Sequence, residues 1–182
     1  ARLLPVPYYL LTFTLPAELR AIARSRPRLV YATLMTADAA SLLKLTADPK
    51  YLGATPGLLA VLHTWTRAML YHPHVHFLVT ACGLGKDGRS WVRPKNPRFL
   101  VPGFALSPIF RAKVRDALDK AGLLRTVSKD FWTSAKPWVV PSQARGHRPQ
   151  GAGLACPICL SNRHLQQSSR ELRCSSRPLP LP

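Results

Sequence analysis

The densest group of potential metal ligands in the sequence is the segment HPHVH at residues 72–76. His74–Thr80 alternates between two sets of side chains, which predicts a β-strand. Side chains at positions i and i+2 of a strand point to the same face, so His74 and His76 can share one divalent cation. The alternative is a surface strand that is rich in histidine and binds no metal.

A second candidate site is the basic segment that follows this strand. It contains one acid, Asp87, and its positive charges are interleaved with two aromatic residues, Trp91 and Phe99. Positive side chains follow phosphates, and an aromatic face can stack on an unpaired base. The predicted DNA-binding residues are Lys86, Arg89, Trp91, Arg93, Lys95 and Arg98. The alternative is a solvated loop whose Trp91 is part of the core.

Charge and composition limit the class of protein. The 182 residues include 26 Lys and Arg against 8 Asp and Glu, a net charge of +18, with 47% apolar residues. This charge predicts a polyanionic partner, most simply nucleic acid, and the apolar content excludes wholesale disorder. No apolar run approaches the ~18–20 residues of a membrane helix, which excludes a span, and no amphipathic basic helix is found for binding at a membrane surface, so we expect no membrane partner. Three of the four cysteines cluster near the end of the chain, which favours a cytoplasmic protein over a disulfide-bonded secreted one.

The elements that must position these residues alternate between strand and helix. We expect the strand of the histidines to lie in a mixed fold of α and β elements. Periodicity does not separate strand from buried helix at Leu58–Leu70. The other expected elements are a strand at Tyr8–Thr14, a helix from Ala17 to about Arg26, a helix from Pro27 to Asp48, a strand at Trp91-Val92, and a helix from an N-cap at Ser107 to Ala121.

The composition changes after residue 140. Residues 141–182 contain six Arg, no Lys, one acid and no Phe, Tyr or Trp. Without large side chains to bury, this basic tail is expected to be disordered, and its composition is typical of out-of-frame translation. A basic arm that binds nucleic acid is the alternative. The tail also holds a weak zinc-like motif, for which chance cysteines are the better account: Cys156, Cys159, His164 and Cys174.

Residues 2–140 resemble the rolling-circle insertion-sequence transposases of the two-tyrosine, His-hydrophobic-His ("HUH") type. The resemblance rests on three long stretches that occur in the family's order: LLPVPYYLLTFTLPAELR, YLGATPGLLAVLHTWTRAMLYHPHVHFLVTACGL and DGRSWVRPKNPRFLVPGFALSPIFRAKVRDAL. It implies an α+β nuclease domain, an antiparallel sheet with packed helices, at residues 1–140. Residues 141–182 would be the basic tail of a truncated and frameshifted copy.

The resemblance also implies a chemistry. The two histidines of the family motif, here His74 and His76, would bind Mg²⁺ or Mn²⁺, which polarises a phosphodiester of single-stranded DNA. A tyrosine would then attack and form a covalent 5′-phosphotyrosyl intermediate. The family uses a third metal ligand, for which His63 is the first candidate and His72 the second. His72 shares the face only if the strand continues through Pro73.

The chain departs from the family at the nucleophile. The family's tyrosine pair lies on a helix downstream of the histidine motif, whereas residues 72–182 contain no tyrosine. The resemblance therefore implies DNA transposition by single-strand nicking and joining, and this chain is expected to be catalytically defective. Whether it is an enzyme is open, since the alternative is a non-enzymatic basic DNA-binding protein. The oligomeric state does not follow from the sequence.

Overall fold

The computed structural model describes residues 6–96 and 99–145. Strands and helices alternate along the chain, with short 3₁₀ turns at Ala17–Leu19 and Leu124–Thr126. The strands are β1 (Tyr8–Thr14), β2 (Thr55–Trp65), β3 (Tyr71–Leu84), β4 (Trp91–Val92) and β5 (Ser142–Arg145). The helices are α1 (Arg20–Ser25), α2 (Pro27–Thr46), α3 (Gly103–Lys120) and α4 (Lys129–Thr133).

The strands form one antiparallel sheet in the order β2-β3-β1-β5, and β4 pairs with the far end of β3. Strand β3 is therefore central, with β1 on one side and β2 on the other. The long β2–β3 hairpin pairs Thr55 with Leu84 at one end and Trp65 with Tyr71 at the other. The expected antiparallel sheet with packed helices is confirmed.

The two faces of the sheet differ because side chains alternate along each strand. Odd-numbered residues of β3 from Tyr71 to Val79 are buried against the helices, while the even-numbered ones from His72 to Leu78 are only partly covered. The core on the inner face centres on three aromatic rings, with Phe13 edge-to-face on Phe77 at 5.6 Å and on Phe110 at 5.2 Å. The outer face, which carries the histidines, is exposed on β2 and partly covered on β3.

Most predicted elements are confirmed at their predicted places. The strand at Tyr8–Thr14 and the helix from Pro27 agree with β1 and α2. The predicted helix from Ala17 is a 3₁₀ turn followed by α1. The ambiguous segment Leu58–Leu70 is strand β2 and the turn after it. Its periodicity was uninformative because β2 is apolar on both faces.

Helix α3 begins at Gly103, four residues before the predicted N-cap. Gly103 lies so close to the Val140 carbonyl that a Cβ there would be 2.2 Å from the oxygen, so the helix can start here only at glycine. Pro108 is inside the helix, where it has no N–H to donate to the Phe104 carbonyl. The Ser107 hydroxyl instead accepts a hydrogen bond of 2.8 Å from the Trp138 N–H.

The folded part of the chain continues past the boundary predicted after residue 140. Ser142–Arg145 forms β5, which pairs with β1 from Leu11 to Tyr8. An edge strand is held by main-chain hydrogen bonds, so the absence of aromatic side chains does not prevent it. The remaining tail and its zinc-like motif lie outside the described residues. In the part of the chain that the structure describes, no helix is both long and apolar enough to cross a membrane.

Asp38 on α2 is a buried carboxyl group with no hydrogen-bond partner. Its side chain is fully buried, and neither carboxylate oxygen is hydrogen-bonded within the described residues. Burial raises the pKa of Asp38 well above its ordinary value. The folded chain therefore holds the Asp38 proton more tightly than the unfolded chain does, and stability from this group is lost as pH rises from about 4 towards the raised pKa.

We expect Asp38→Asn to remove this pH dependence. The free energy of unfolding of the wild type, relative to that of the variant, should fall between pH 4.5 and pH 7. Only the wild type must either keep Asp38 protonated above its ordinary pKa or ionise it while it is buried. Urea unfolding at both pH values measures this difference. Asp116→Asn, at an exposed position of α3, is the matched control. Parallel pH profiles for wild type and Asp38→Asn would contradict the prediction.

Candidate metal centre

Three histidines converge on the outer face of the sheet: His63 on β2, and His74 and His76 on β3. Their ring centroids are 4.8–5.3 Å apart, and one nitrogen of each ring lies within 4.8 Å of the others. His63 is directly opposite His74 in the β2–β3 pairing, and His76 is two residues further along β3. The cluster therefore follows from strand register and alternation alone.

Hydrogen bonds orient two of these rings. His74 donates from Nδ1–H to the His72 carbonyl at 2.6 Å, so its neutral ring carries the proton on Nδ1 and leaves Nε2 as a ligand atom. His76 Nδ1 lies 2.9 Å from Thr12 Oγ1 on β1, which can accept in the same way. Partners of this kind hold a metal-binding imidazole in the correct tautomer.

Burial, followed by the neighbouring His74 and His63, lowers the pKa of His76. Each effect disfavours the charged imidazolium. The neutral ring is the form that can bind a cation, so the cluster itself favours the ligating state.

His72 shares the outer face but has a different partner. The Arg20 guanidinium donates to His72 Nδ1 at 2.6 Å, which places the proton of the neutral ring on Nε2. Neither nitrogen of His72 then has a free lone pair. The choice of His63 rather than His72 as third ligand stays a prediction, and this geometry favours it.

Strand β3 continues through Pro73 because the pairing with β2 is interrupted there. The register shifts between His63 and Trp65, so no ladder hydrogen bond is required from the residue that lacks an N–H. On the other side, the Pro73 carbonyl accepts from the Leu15 N–H at 3.0 Å. The same irregularity thus preserves the strand on which all three histidines of the segment HPHVH lie.

The donor set fits a divalent cation. Nitrogens about 2.1 Å from a metal are about 3 Å apart, so small ring rotations would close the cluster around an ion. The sequence has no Asp or Glu between Asp48 and Asp87, so the hairpin supplies imidazole and no carboxylate. Mg²⁺ prefers oxygen ligands, whereas imidazole suits transition metals. Of the two predicted ions, Mn²⁺ therefore fits better.

The family model Y2_Tnp, described as "Putative transposase", matches residues 57–150, more than half of the chain. The chain belongs to this transposase family. The match contains His63, His74 and His76 and extends beyond the predicted end of the resemblance at residue 140.

A curated relative supports the same family. "Putative transposase y4qJ" from Sinorhizobium fredii (strain NBRC 101917 / NGR234) is 43% identical over 121 residues, which make up 66% of this chain and 30% of the relative. The transposase-family chain thus spans less than a third of the relative's length.

Solved structures of the conjugative relaxase TrwC are also similar. A metal-free and a metal-bound structure, both in complex with OriT DNA, each match with a TM-score of 0.48 and 18% identity, covering 62% of this chain and 44% and 43% of theirs. TrwC with a 27-mer DNA that comprises the recognition hairpin and the cleavage site matches at 0.47 and 16% identity, covering 95% of this chain and 61% of that one. The fold assignment rests on the strands and helices described above.

The basic segment of this transposase-family chain lies at the other end of β3. Four of its predicted DNA-binding residues have exposed side chains: Lys86, Arg89, Arg93 and Lys95. Trp91 is partly buried against a small cluster that contains Val6 and Cys82, so it presents only part of its ring. Arg98 lies outside the described residues. From His76 to Leu84 is eight residues, or about 26 Å of strand.

Two supporting residues were missed by sequence reasoning. Thr12 and Arg20 contact histidines 64 and 52 residues away. The alternation of YYLLTFT already places Thr12 on one face of β1 and its neighbours Leu11 and Phe13 on the other. Nothing in the sequence identifies β3 as the neighbour of β1, however, so their partners could not be predicted.

We expect His63→Ala to weaken Mn²⁺ binding by at least about tenfold, since even loss of a supporting partner costs 10–100-fold. His72→Ala should leave the affinity within about twofold, because Arg20 already occupies that ring. Isothermal titration of Mn²⁺ into both variants measures the difference. The reverse ranking would show that His72 is the third ligand.

Proposed function

We propose that this chain binds single-stranded DNA, with one phosphate at a divalent cation held by His63, His74 and His76. The observation that carries the proposal is the convergence of three imidazoles, two of them oriented by hydrogen bonds, on the outer face of the sheet. Family membership supports DNA transposition by single-strand nicking and joining as the wider activity to which this chain contributes.

A bound Mn²⁺ would act as a Lewis acid on the phosphodiester. The residues of the chain do the rest. Thr12 and the His72 carbonyl hold the two β3 rings, Arg20 occupies Nδ1 of His72, and the basic segment at the other end of β3 attracts the phosphate backbone. The two sites are separated by about 26 Å of strand, so a single strand several nucleotides long can contact both.

Binding and cleavage should separate in this chain. The family mechanism needs a tyrosine hydroxyl at the metal, yet Tyr71, the nearest in sequence, is buried on the inner face of β3. Its hydroxyl lies 2.9 Å from that of Tyr31, which together with burial raises the pKa of Tyr71. Tyr8 lies on the outer face, four residues or about 13 Å along β1 from Thr12. We infer that none of the tyrosines serves as the nucleophile.

We expect no covalent protein–DNA adduct when the chain is incubated with labelled single-stranded oligonucleotides and Mn²⁺ and analysed by denaturing electrophoresis. The matched control is the wild type in a non-denaturing binding assay, where the complex should form. An adduct that disappears in Tyr71→Phe or Tyr8→Phe would identify a nucleophile and contradict the expected defect.

The salt dependence of DNA binding should reveal the role of the basic segment. If four to six phosphates are contacted, log K should fall with log[salt] at a slope of roughly −3 to −4, at about −0.7 per contact. Replacing Arg93 and Lys95 by Ala should flatten the slope by about 1.4. Anisotropy of a labelled oligonucleotide measures it.

Replacing Lys120 and Arg125, which are exposed in the helical layer, removes the same charge as a control and should leave the slope unchanged. Equal flattening by both double variants would assign the effect to net charge alone. Affinity that is unaffected by Mn²⁺ and by His74→Ala would favour the second candidate, a basic DNA-binding protein without a metal, which the net charge of +18 supports.

A further inference from the structure

The turn between β2 and β3 exposes large apolar side chains beside the histidine cluster. Trp65 is 51% exposed, Met69 73% and Leu70 65%. Single exposed apolar residues are common, but three large ones within six residues form a patch of the kind that marks a binding surface. None of them takes part in the metal centre.

The backbone of this turn is well defined and unfavourable at one residue. The Thr66 N–H donates to the Leu70 carbonyl at 2.9 Å, and the Met69 N–H donates to the Thr66 carbonyl at 3.0 Å. Met69 has φ +57°, a left-handed conformation that glycine adopts without strain. A long side chain kept at a glycine-favouring position points to a role for that side chain.

Trp65 is placed to act together with the metal centre. It is two residues from His63 on β2, or about 7 Å along the strand. The Tyr71 ring braces the indole edge-on, with centroids 5.4 Å apart at 69°, and Tyr71 is itself held by the Tyr31 hydroxyl and by Arg24 4.8 Å over its ring. The indole is thus supported on one side and half exposed.

The surroundings of the turn are strongly positive. Arg67 is exposed within the turn, and the contact of Arg24 with Tyr71 brings α1 alongside. Four arginines and no acid lie between Glu18 and Asp38, and the β2–β3 hairpin is free of acids. A second copy of a chain with a net charge of +18 would be repelled here, whereas a polyanion is attracted.

We propose that the β2–β3 turn binds an unpaired nucleobase, stacked on Trp65 and flanked by Met69 and Leu70, with Arg67 on the adjacent phosphate. An apolar platform within a basic surface matches the flat face and charged backbone of single-stranded DNA. The inference rests on the proposed function only in that the same strand would place a neighbouring phosphate at the histidines.

The test compares variants of the full chain in anisotropy titrations with a labelled oligo-dT, without added metal and with Mn²⁺. Trp65→Ala should weaken binding about 5- to 150-fold, the range for loss of one stacked base, and Trp65→Phe should retain most of the affinity. Phe104→Ala, at an 80% exposed aromatic on α3, is the matched control and should bind like the wild type.

Met69→Gly separates a binding role from a structural one. Glycine relieves the left-handed conformation, so the melting temperature should rise or stay the same while the affinity for oligo-dT falls. Oligo-dT should also quench the tryptophan fluorescence of the wild type, and the part of this quenching that comes from Trp65 should be lost in Trp65→Phe while any quenching of Trp91 is kept.

The outcomes distinguish this inference from the proposed function. If Trp65→Ala binds oligo-dT as the wild type does while Mn²⁺ binding persists, the stacking site is wrong and the metal centre stands. If His74→Ala loses Mn²⁺ yet keeps the Trp65-dependent quenching, the stacking site stands without the metal. A dimer in sedimentation velocity that Trp65→Ala dissociates would assign the turn to a second copy and overturn the inference.

Discussion

The register of the β2–β3 hairpin places His63 opposite His74, and both the core and the candidate metal centre depend on it. Strand alternation sends Val75 and Phe77 into the core and the intervening histidines to the outer face. A slip of one residue would exchange the two sets, burying imidazoles and exposing the core. The cost of that exchange in apolar burial holds the register, so the same hydrophobic packing that stabilises the sheet also brings the three histidines together.

Pro73 lies within the β2–β3 hairpin, and the pairing of the two strands accommodates it without losing the register at the histidines. A proline in a central strand removes a ladder hydrogen bond, and here the register shift near the end of β2 coincides with it. The irregularity leaves His63 paired with His74 and lets the strand continue to Tyr71. The end of β2 and the turn between the strands expose Trp65 and Met69 at this end of the hairpin. A local departure from ideal pairing thus separates the histidine cluster from an irregular, exposed turn.

The electrostatics of the histidine cluster depend on the absence of acidic residues from the hairpin as well as on the histidines themselves. Between Asp48 and Asp87 there is no carboxylate, so the imidazoles have no acidic neighbour on the hairpin. Burial, followed by the neighbouring His74 and His63, lowers the pKa of His76 and favours its neutral ring. A divalent cation would bring a positive charge to this face, and the phosphate of a nucleic acid would bring the negative charge that balances it.

The sequence by itself determined the strand of His74 and His76, their shared face and the basic segment, because alternation and composition are local properties of the chain. The family followed separately, from the resemblance of three long stretches. It did not determine the ligand environment. Whether Leu58–Leu70 is a strand, whether His63 lies beside the pair, and which residues orient the rings depend on contacts between residues as far apart as Thr12 and His76. Only the tertiary structure decided these, since strand order and register arise from packing the whole sheet against its helices. The same holds for β5, whose main-chain pairing with β1 leaves no mark on side-chain composition.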